Sequence, residues 1–273
     1  MINLKSNKNY YGLVSGLHGL VIGKKGDLRP SDFRNALSAE LEPEDHYQFL
    51  LPFYLYDNRN FLAIKFGKGE FNPQGNLKEE ELTLLLKNNF SEDKYFEDFL
   101  NKVDIEEEGI SAFKVEYKLT QHYYDYLSEF GNEFIQNWVD FELTLKNLTA
   151  VYAIRNLNLE DEGQFIEGGY FSGLELKRIN IADLDAQYPH LKRKYEALEI
   201  IDPIQRKLKV DQIKWDFLDE NTFFNYFTIE KVIAYTLKLI DIEVWHGINE
   251  NGADELFNNY VEQINNELET LIK

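Results

Sequence analysis

Between Gly131 and Leu157 the chain reads GNEFIQNWVDFELTLKNLTAVYAIRNL, and no glycine or proline interrupts it after Gly131. Its largest apolar side chains fall at Phe134, Trp138, Phe141, Leu145, Leu148 and Tyr152, a spacing that alternates four and three and lines them along one side of a helix. Ile135, Val139, Val151 and Ile154 widen the stripe, so the helix needs cover on more than one side. Twenty-five residues at 1.5 Å per residue make a rod of about 37 Å. A buried rod of that length commits its surroundings to helix packing, and the rest of the chain is consistent with it. The expectation is an all-α protein, one helical unit over residues 1–273 with sub-units at about 1–109, 110–173 and 174–273.

The flanking segments carry the punctuation of helices. Leu13, Leu17 and Leu20 share a face in a short, glycine-weakened element at 10–20. Pro30 and Pro43 each stand where a helix starts, and Pro52 divides the second of these, YQFLLPFYLY. DNRNFLAIKFG at 57–67 precedes a loop at 68–76, and residues 78–102 read as two short amphipathic helices with Ser91 as the N-cap of the second. Aromatic residues crowd a helix over 117–130. The glycine-rich NLEDEGQFIEGGYFSG at 158–173 reads as a loop and hinge. Further helices are expected over 182–200, 203–219, 222–245 and 254–272, with Thr222 as a helix-start signal and Asn251-Gly252 as a turn.

At most one or two short strands fit, at 110–117 and 213–217, where apolar residues alternate. For 202–220 two readings stand. A helix places Ile204, Leu208, Trp215 and Leu218 on one side and Val210, Ile213 and Phe217 on the other, requiring cover on both. A strand places Ile213, Trp215 and Phe217 on one face.

FLAIKFG after Asn60, LTAVYAIRNL after Asn147 and IEKVIAYTLKL after Thr228 each set a polar residue before an apolar helical run holding alanine and then a basic residue. This suggests three-fold internal repetition.

Composition excludes several functions. The net charge of −19 repels nucleic-acid phosphates and anionic lipid, and all of the excess lies beyond Asn60, since residues 1–60 carry seven basic and seven acidic side chains. The basic clusters Lys24-Lys25, Lys192-Arg193-Lys194 and Arg206-Lys207-Lys209 are short and have acidic neighbours. With no cysteine there are no disulfides, thiolate metal sites or cysteine nucleophiles. No apolar run approaches the roughly 20 residues of a membrane span, and the opening residues carry no signal-peptide core, which sets the expectation of a cytoplasmic protein without direct membrane insertion.

Chemistry is sparse. No HExxH, GxSxG, GxGxxG or Walker pattern occurs. Paired acids such as Asp161-Glu162 and Asp219-Glu220 are uninformative in a chain with 48 carboxylates. Glu243 and His246 form one ExxH, half of the ligand set of a di-iron bundle, and they are the sole metal candidate. Cofactors are not expected. Asn147 and Arg155, eight residues apart, point to the same half of the long helix and are candidates for helix pairing or for a carboxylate of a partner. Trp138, Trp215 and Arg206 complete the candidates for packing or partner contact.

The segment 201–245, IDPIQRKLKVDQIKWDFLDENTFFNYFTIEKVIAYTLKLIDIEVW, resembles a bacterial family of uncharacterised proteins encoded beside V-type ATPase subunits. YYGLVSGL at 10–17 resembles that family's opening and WVDFELTLKNLTAVYAIRNL at 138–157 its central helix. Asn147, followed by an apolar turn and Arg155, is also similar to an Asn-Leu to Arg pattern in the C-type central-stalk subunit of V/A-type ATPases, designated d in eukaryotes, which is all-helical with three repeated units. The resemblance implies a non-catalytic coupling or accessory subunit, a cytoplasmic helical socket between central stalk and membrane rotor ring, with the stalk and ring proteins as partners. A helical carboxylate-metal enzyme built on Glu243 and His246, and a free-standing helical adaptor, are the alternatives.

Overall fold

The computed structural model describes residues 8–24, 26–157, 165–180 and 188–251. The helix expected at 254–272, Gly252 of the turn expected at Asn251-Gly252, the start of the helix expected at 182–200, the Asp161-Glu162 pair, Lys25 and most of the first half of the glycine-rich loop lie outside the described residues. Helices run through α1 (Tyr11–Ser15), α2 (Pro30–Leu37), α3 (Pro43–Leu50), α4 (Tyr54–Phe66), α5 (Glu79–Asn88) and α6 (Lys94–Lys102). They continue through α7 (Ala112–Ser128), α8 (Glu133–Leu157), α9 (Gly173–Arg178), α10 (Pro189–Leu198), α11 (Pro203–Thr222) and α12 (Ile229–Asn251). Among the described residues there is no strand.

Packing divides the chain into two units. One is made by Arg29–Asn132, and in the other Asn7–Leu28 joins the chain from Glu133 onward. In the first unit, α4 packs on α5 and α7, and α6 on α7. Pro52 acts as its fixed φ and missing N–H require: a 3₁₀ turn, Leu51–Phe53, separates α3 from α4. Tyr95, Phe96 and Phe99 share the buried face of α6. Tyr95 stacks on Tyr54 at 4.2 Å and Phe96 on Phe61 at 5.7 Å, so this core is largely aromatic.

In the second unit, α8 packs against α9, α10 and α11, and α11 against α12. Phe134, Ile135, Trp138, Val139, Phe141, Leu145, Leu148, Val151 and Ile154 are all buried, so the wide stripe of the long helix is covered as its width demands. Phe141 stacks face to face on Phe217 at 3.9 Å.

Four local expectations are corrected. Residues 112–117 are the first turns of α7, because Ser111 caps it by accepting the Lys114 N–H at 3.1 Å and the apolar positions then continue at helical spacing. Residues 213–217 lie inside α11, with Ile213, Trp215 and Phe217 all buried because neighbouring helices cover both sides. The N-cap of α6 is Asp93, which accepts the Phe96 N–H, while Ser91 instead accepts the N–H of Asp93. Thr222 ends α11, its hydroxyl donating to the Leu218 carbonyl, and the next helix starts at Ile229. A side chain that back-bonds four residues upstream continues a helix, so this threonine extends the preceding element.

Candidate functional site

On α4, Asp57 and Asn60 are one turn apart and fully buried. Asn60 Nδ2 donates to the Asn72 carbonyl at 2.8 Å while its Oδ1 accepts the Asn72 N–H at 2.7 Å, a two-point grip on the backbone of the loop. The Asp57 carboxylate accepts the N–H groups of Asn76 and Leu77 at 2.9 and 3.0 Å. Gly75 lies so close that a Cβ there would sit 2.3 Å from Asp57 Oδ1. Arg34 donates to the carbonyls of Gln74 and Gly75. Burial pushes the Asp57 carboxyl up to about 7, against the pull of the two amides and the Arg34 charge. The loop then enters α5 through Lys78, whose N–H donates to Glu81 at 2.7 Å, and Leu82 is fully buried.

On α8, Thr144 and Asn147 are spaced the same way and both are buried. Asn147 Nδ2 donates to the Ile166 carbonyl at 2.8 Å and Oδ1 accepts the Ile166 N–H at 3.1 Å. Thr144 Oγ1 accepts the Tyr170 N–H at 2.8 Å and donates to the Asp140 carbonyl at 2.7 Å. Gly169, at φ +88°, would place a Cβ 2.7 Å from Thr144 Oγ1. The loop enters α9 through Ser172, whose N–H donates to Glu175 at 2.8 Å, and Leu176 is fully buried.

The two arrangements agree position by position. Counting from the gripped residue, Asn72 or Ile166, the close-packed glycine is three residues on, Gly75 or Gly169. The amide bound by Asp57 or Thr144 is four on, Asn76 or Tyr170, and the N-cap is six on, Lys78 or Ser172. The capping glutamates, Glu81 and Glu175, and the buried leucines, Leu82 and Leu176, keep the same register. Each unit therefore contains one helix that clasps the loop leading to a capped short helix.

A second concentration of polar groups joins α8, α10, α11 and α12. The sequences DQIKW and DIEVW place an aspartate four residues before a tryptophan on both α11 and α12. The helices are antiparallel, and each tryptophan bonds the other helix's aspartate: Trp215 Nε1 donates to Asp241 at 3.1 Å and Trp245 Nε1 to Asp211 at 2.7 Å. A lysine crosses each ring, Lys238 over Trp215 at 5.0 Å and Lys207 over Trp245 at 5.2 Å. Lys207 also pairs with Asp211 at 2.8 Å, and Lys214 with Glu142 of α8 at 2.7 Å. Burial, reinforced by the charge of Asp211, pushes the Asp241 carboxyl up to about 6. Lys194 of α10 is buried beside Lys214, and these two effects push its ammonium down to about 7. The tryptophan–aspartate bonds and the Lys207–Asp211 and Lys214–Glu142 pairs tie the helices together, and Lys194 adds a buried cation beside them.

The residues singled out from sequence fall as follows. Asn147 and Arg155 grip one returning segment: Arg155 Nη2 donates to the Lys177 carbonyl at 2.8 Å and to Leu176 at 3.2 Å, closing the C-terminal end of α9. Trp138 is buried against Phe141 and Phe217, and Trp215 belongs to the aspartate exchange. Arg206 holds the turn between α10 and α11 through the Ile200 carbonyl at 2.8 Å. Glu243 is partly exposed and His246 buried on α12, and among the described residues no group of three or more histidines and carboxylates is disposed to hold a metal ion. Sequence reasoning missed Asp57, Asn60, Thr144, Asp211, Asp241 and Trp245 as a set. The repeated DxxxW spacing was the available signal for the last two of these with their partners.

A family model described as "Protein of unknown function (DUF2764)" matches residues 7–268. Neither a curated protein nor a solved structure matches the chain.

Proposed function

We propose that this chain, which belongs to the DUF2764 family, is a non-catalytic coupling or accessory subunit of a V-type ATPase. It is a helical socket at the cytoplasmic face, peripheral to the membrane, that links the central stalk to the rotor ring. The observation that carries the reading is the loop clasp that recurs in both units, since the resembled stalk protein is assembled from repeated helical units. Two further features support it. The segment 201–245, one of the three that carry the resemblance, forms the hairpin locked by the reciprocal tryptophan–aspartate bonds, a stiff element suited to passing torque. No helix among the described residues is long and apolar enough to cross a membrane, so the rotor ring would have to be met from outside the bilayer.

The test is purification of the ATPase from source cells through a tag on this chain, together with deletion of its gene. Stalk and ring proteins should be recovered with it in about equal amounts, and the deletion should leave ATP hydrolysis uncoupled from ion transport. A fully assembled, ion-coupled complex recovered from the deletion strain would refute the reading. A separate C-type stalk protein in the same complex would make this chain an accessory to it and not its replacement.

A further inference from the structure

The hairpin of α11 and α12 ends in Phe223-Phe224-Asn225-Tyr226-Phe227, and its rings point outward. Phe223 is 70% exposed, Phe224 93% and Tyr226 49%, and beside them Tyr11, 59% exposed, packs on Phe227 at 4.7 Å between ring centroids. The turn that presents them is ordered. The Asn225 N–H donates to the Thr222 carbonyl at 3.2 Å, and Thr228 Oγ1 donates to the Asn225 carbonyl at 2.9 Å. The Tyr10 N–H donates to the Phe227 carbonyl at 2.6 Å, pinning the approach of α1 to this end of the hairpin. Below the turn the two tryptophan–aspartate bonds fix the helices that carry it. Other large exposed side chains, such as Leu84, Phe90 and Leu174, are scattered along different helices and loops, whereas here four rings gather at one tip.

We infer that this tip is a plug that docks into an apolar pocket, rimmed by lysine or arginine, on a protein partner. The basic rim follows from charge. The chain as a whole carries −19; of the carboxylates just before the tip, Asp219 is paired with Lys231 and Lys238 and Glu220 with His190, so it is this overall field that favours a basic partner. Lys231 lies over the Tyr226 ring at 5.3 Å, so a ring of the tip already accepts an ammonium on its face. The same charge disfavours an anionic bilayer. A second copy is disfavoured by the same charge, since it would bring −19 against −19, and four aromatic side chains of about 150–250 Å² each, exposed to these degrees, offer on the order of 500 Å², below the roughly 800 Å² per partner of a stable interface. Such a patch serves as the anchor of a larger contact with a different protein. The inference rests on the coupling-subunit reading for the identity of the assembly that supplies the pocket.

Three tagged forms of the full chain, wild type, Phe223→Ser with Phe224→Ser, and Leu174→Ser, are used to recover V-type ATPase subunits from source-cell membranes, with quantification by mass spectrometry. Matching circular dichroism and urea midpoints establish that the variants fold, as expected for exposed positions. The plug predicts at least about a tenfold loss of recovered stalk proteins for the double variant and none for Leu174→Ser, with recovery falling as salt rises. Wild type and double variant recovering the complex equally would overturn the plug and leave the coupling-subunit reading standing. A wild type that recovers no ATPase overturns both. Sedimentation with phosphatidylcholine vesicles by the wild type but not the double variant, or a wild-type dimer that the double variant converts to monomer, would reassign the tip to lipid or to self-association and overturn the protein pocket.

Discussion

The clasp on α8 makes a sharp prediction at Asn147. Its amide is buried and supplies both hydrogen bonds made to the Ile166 backbone, at 2.8 and 3.1 Å. Asn147→Ala removes two bonds worth about 1 kcal/mol each, and a small void adds to this, so the expected loss is about 2–3 kcal/mol. The loss should also be local. If the opening of the loop becomes easier by about 2 kcal/mol, exchange of the Ile166 amide hydrogen accelerates about 30-fold. Asn147→Asp separates hydrogen bonding from shape, because a carboxylate oxygen then faces the Ile166 carbonyl where a donor stood. That variant should be less stable than the alanine variant at pH 7. Its native state favours the protonated acid, which can donate, so the native pKa is raised. Stability is therefore present below the ordinary carboxyl range and is lost as pH rises through the native value. Urea unfolding followed by circular dichroism, with the slope checked for constancy, gives the stabilities, and hydrogen exchange read at Ile166 gives the local effect. A loss under about 0.5 kcal/mol with unchanged exchange, or an aspartate variant matching wild type at pH 7, would refute the clasp. Asn60→Ala should repeat the pattern with the Asn72 amide as reporter.

Gly169→Ala should cost about 2–4 kcal/mol, since it adds the left-handed backbone penalty to a Cβ 2.7 Å from Thr144 Oγ1. Gly67→Ala, with a similar φ of +67° but nothing within 4 Å, should cost only about 1–2 kcal/mol by urea midpoint, and equal losses would dismiss the close approach. A double-mutant cycle between Asp211→Ala and Trp245→Phe should give a coupling of about 1–2 kcal/mol, and a coupling near zero would mean the reciprocal bonds do not hold the hairpin. Lys194→Met should raise the urea midpoint at pH 7, because it replaces a buried cation that is pushed down to about 7. A depressed lysine contributes stability that is lost as pH falls through that value, so the wild type should gain stability between pH 7 and 10 and the methionine variant should gain less. Parallel pH profiles for the two proteins would contradict this.

The long helix and the division at Pro52 were legible because each follows from local chemistry: an unbroken apolar period and a fixed φ. The first element was legible in part, since its helix stops at Ser15, before the glycines at 16 and 19, and leaves Leu17 and Leu20 beyond it. The failures share one cause. At 112–117 and 213–217 the apolar side chains alternate over a stretch too short to separate two periods, and the surrounding helices decide. Thr222 carries the residue type of a helix start, yet its hydroxyl turns back to Leu218, a choice made by the bonding around it. The clasp residues were half visible. Asn60 and Asn147 marked two of the similar segments, but their partners, Asn72 and Ile166, lie 12 and 19 residues downstream, and that difference in loop length hides the register. Arg155 was read as a helix-pairing residue or as the partner of a carboxylate, and within the chain it pairs with backbone carbonyls at the end of α9, acceptors that no residue-type pattern marks.

The two clasps also show what the repetition preserves. Asp57 and Thr144 share no charge, yet each offers an oxygen to an amide four residues past the gripped position, and each lies under a glycine that alone leaves room for it. The register of hydrogen bonds is kept where residue identity is free to drift, which accounts for the faintness of the repeat in the sequence. The third similar segment, beginning at Thr228, departs from it. Thr228 stands where the asparagine would be, and its hydroxyl donates to the Asn225 carbonyl at 2.9 Å in the turn just before it. Its one hydroxyl proton is committed to that turn, where the amide of an asparagine donates and accepts across one residue's backbone. In that segment the holding role passes to Trp215, Trp245 and their aspartates, so helix is tied to helix where the other two tie helix to loop. Both devices remove conformational freedom from the chain, one by fixing a loop to a helix and the other by fixing a helix to a helix.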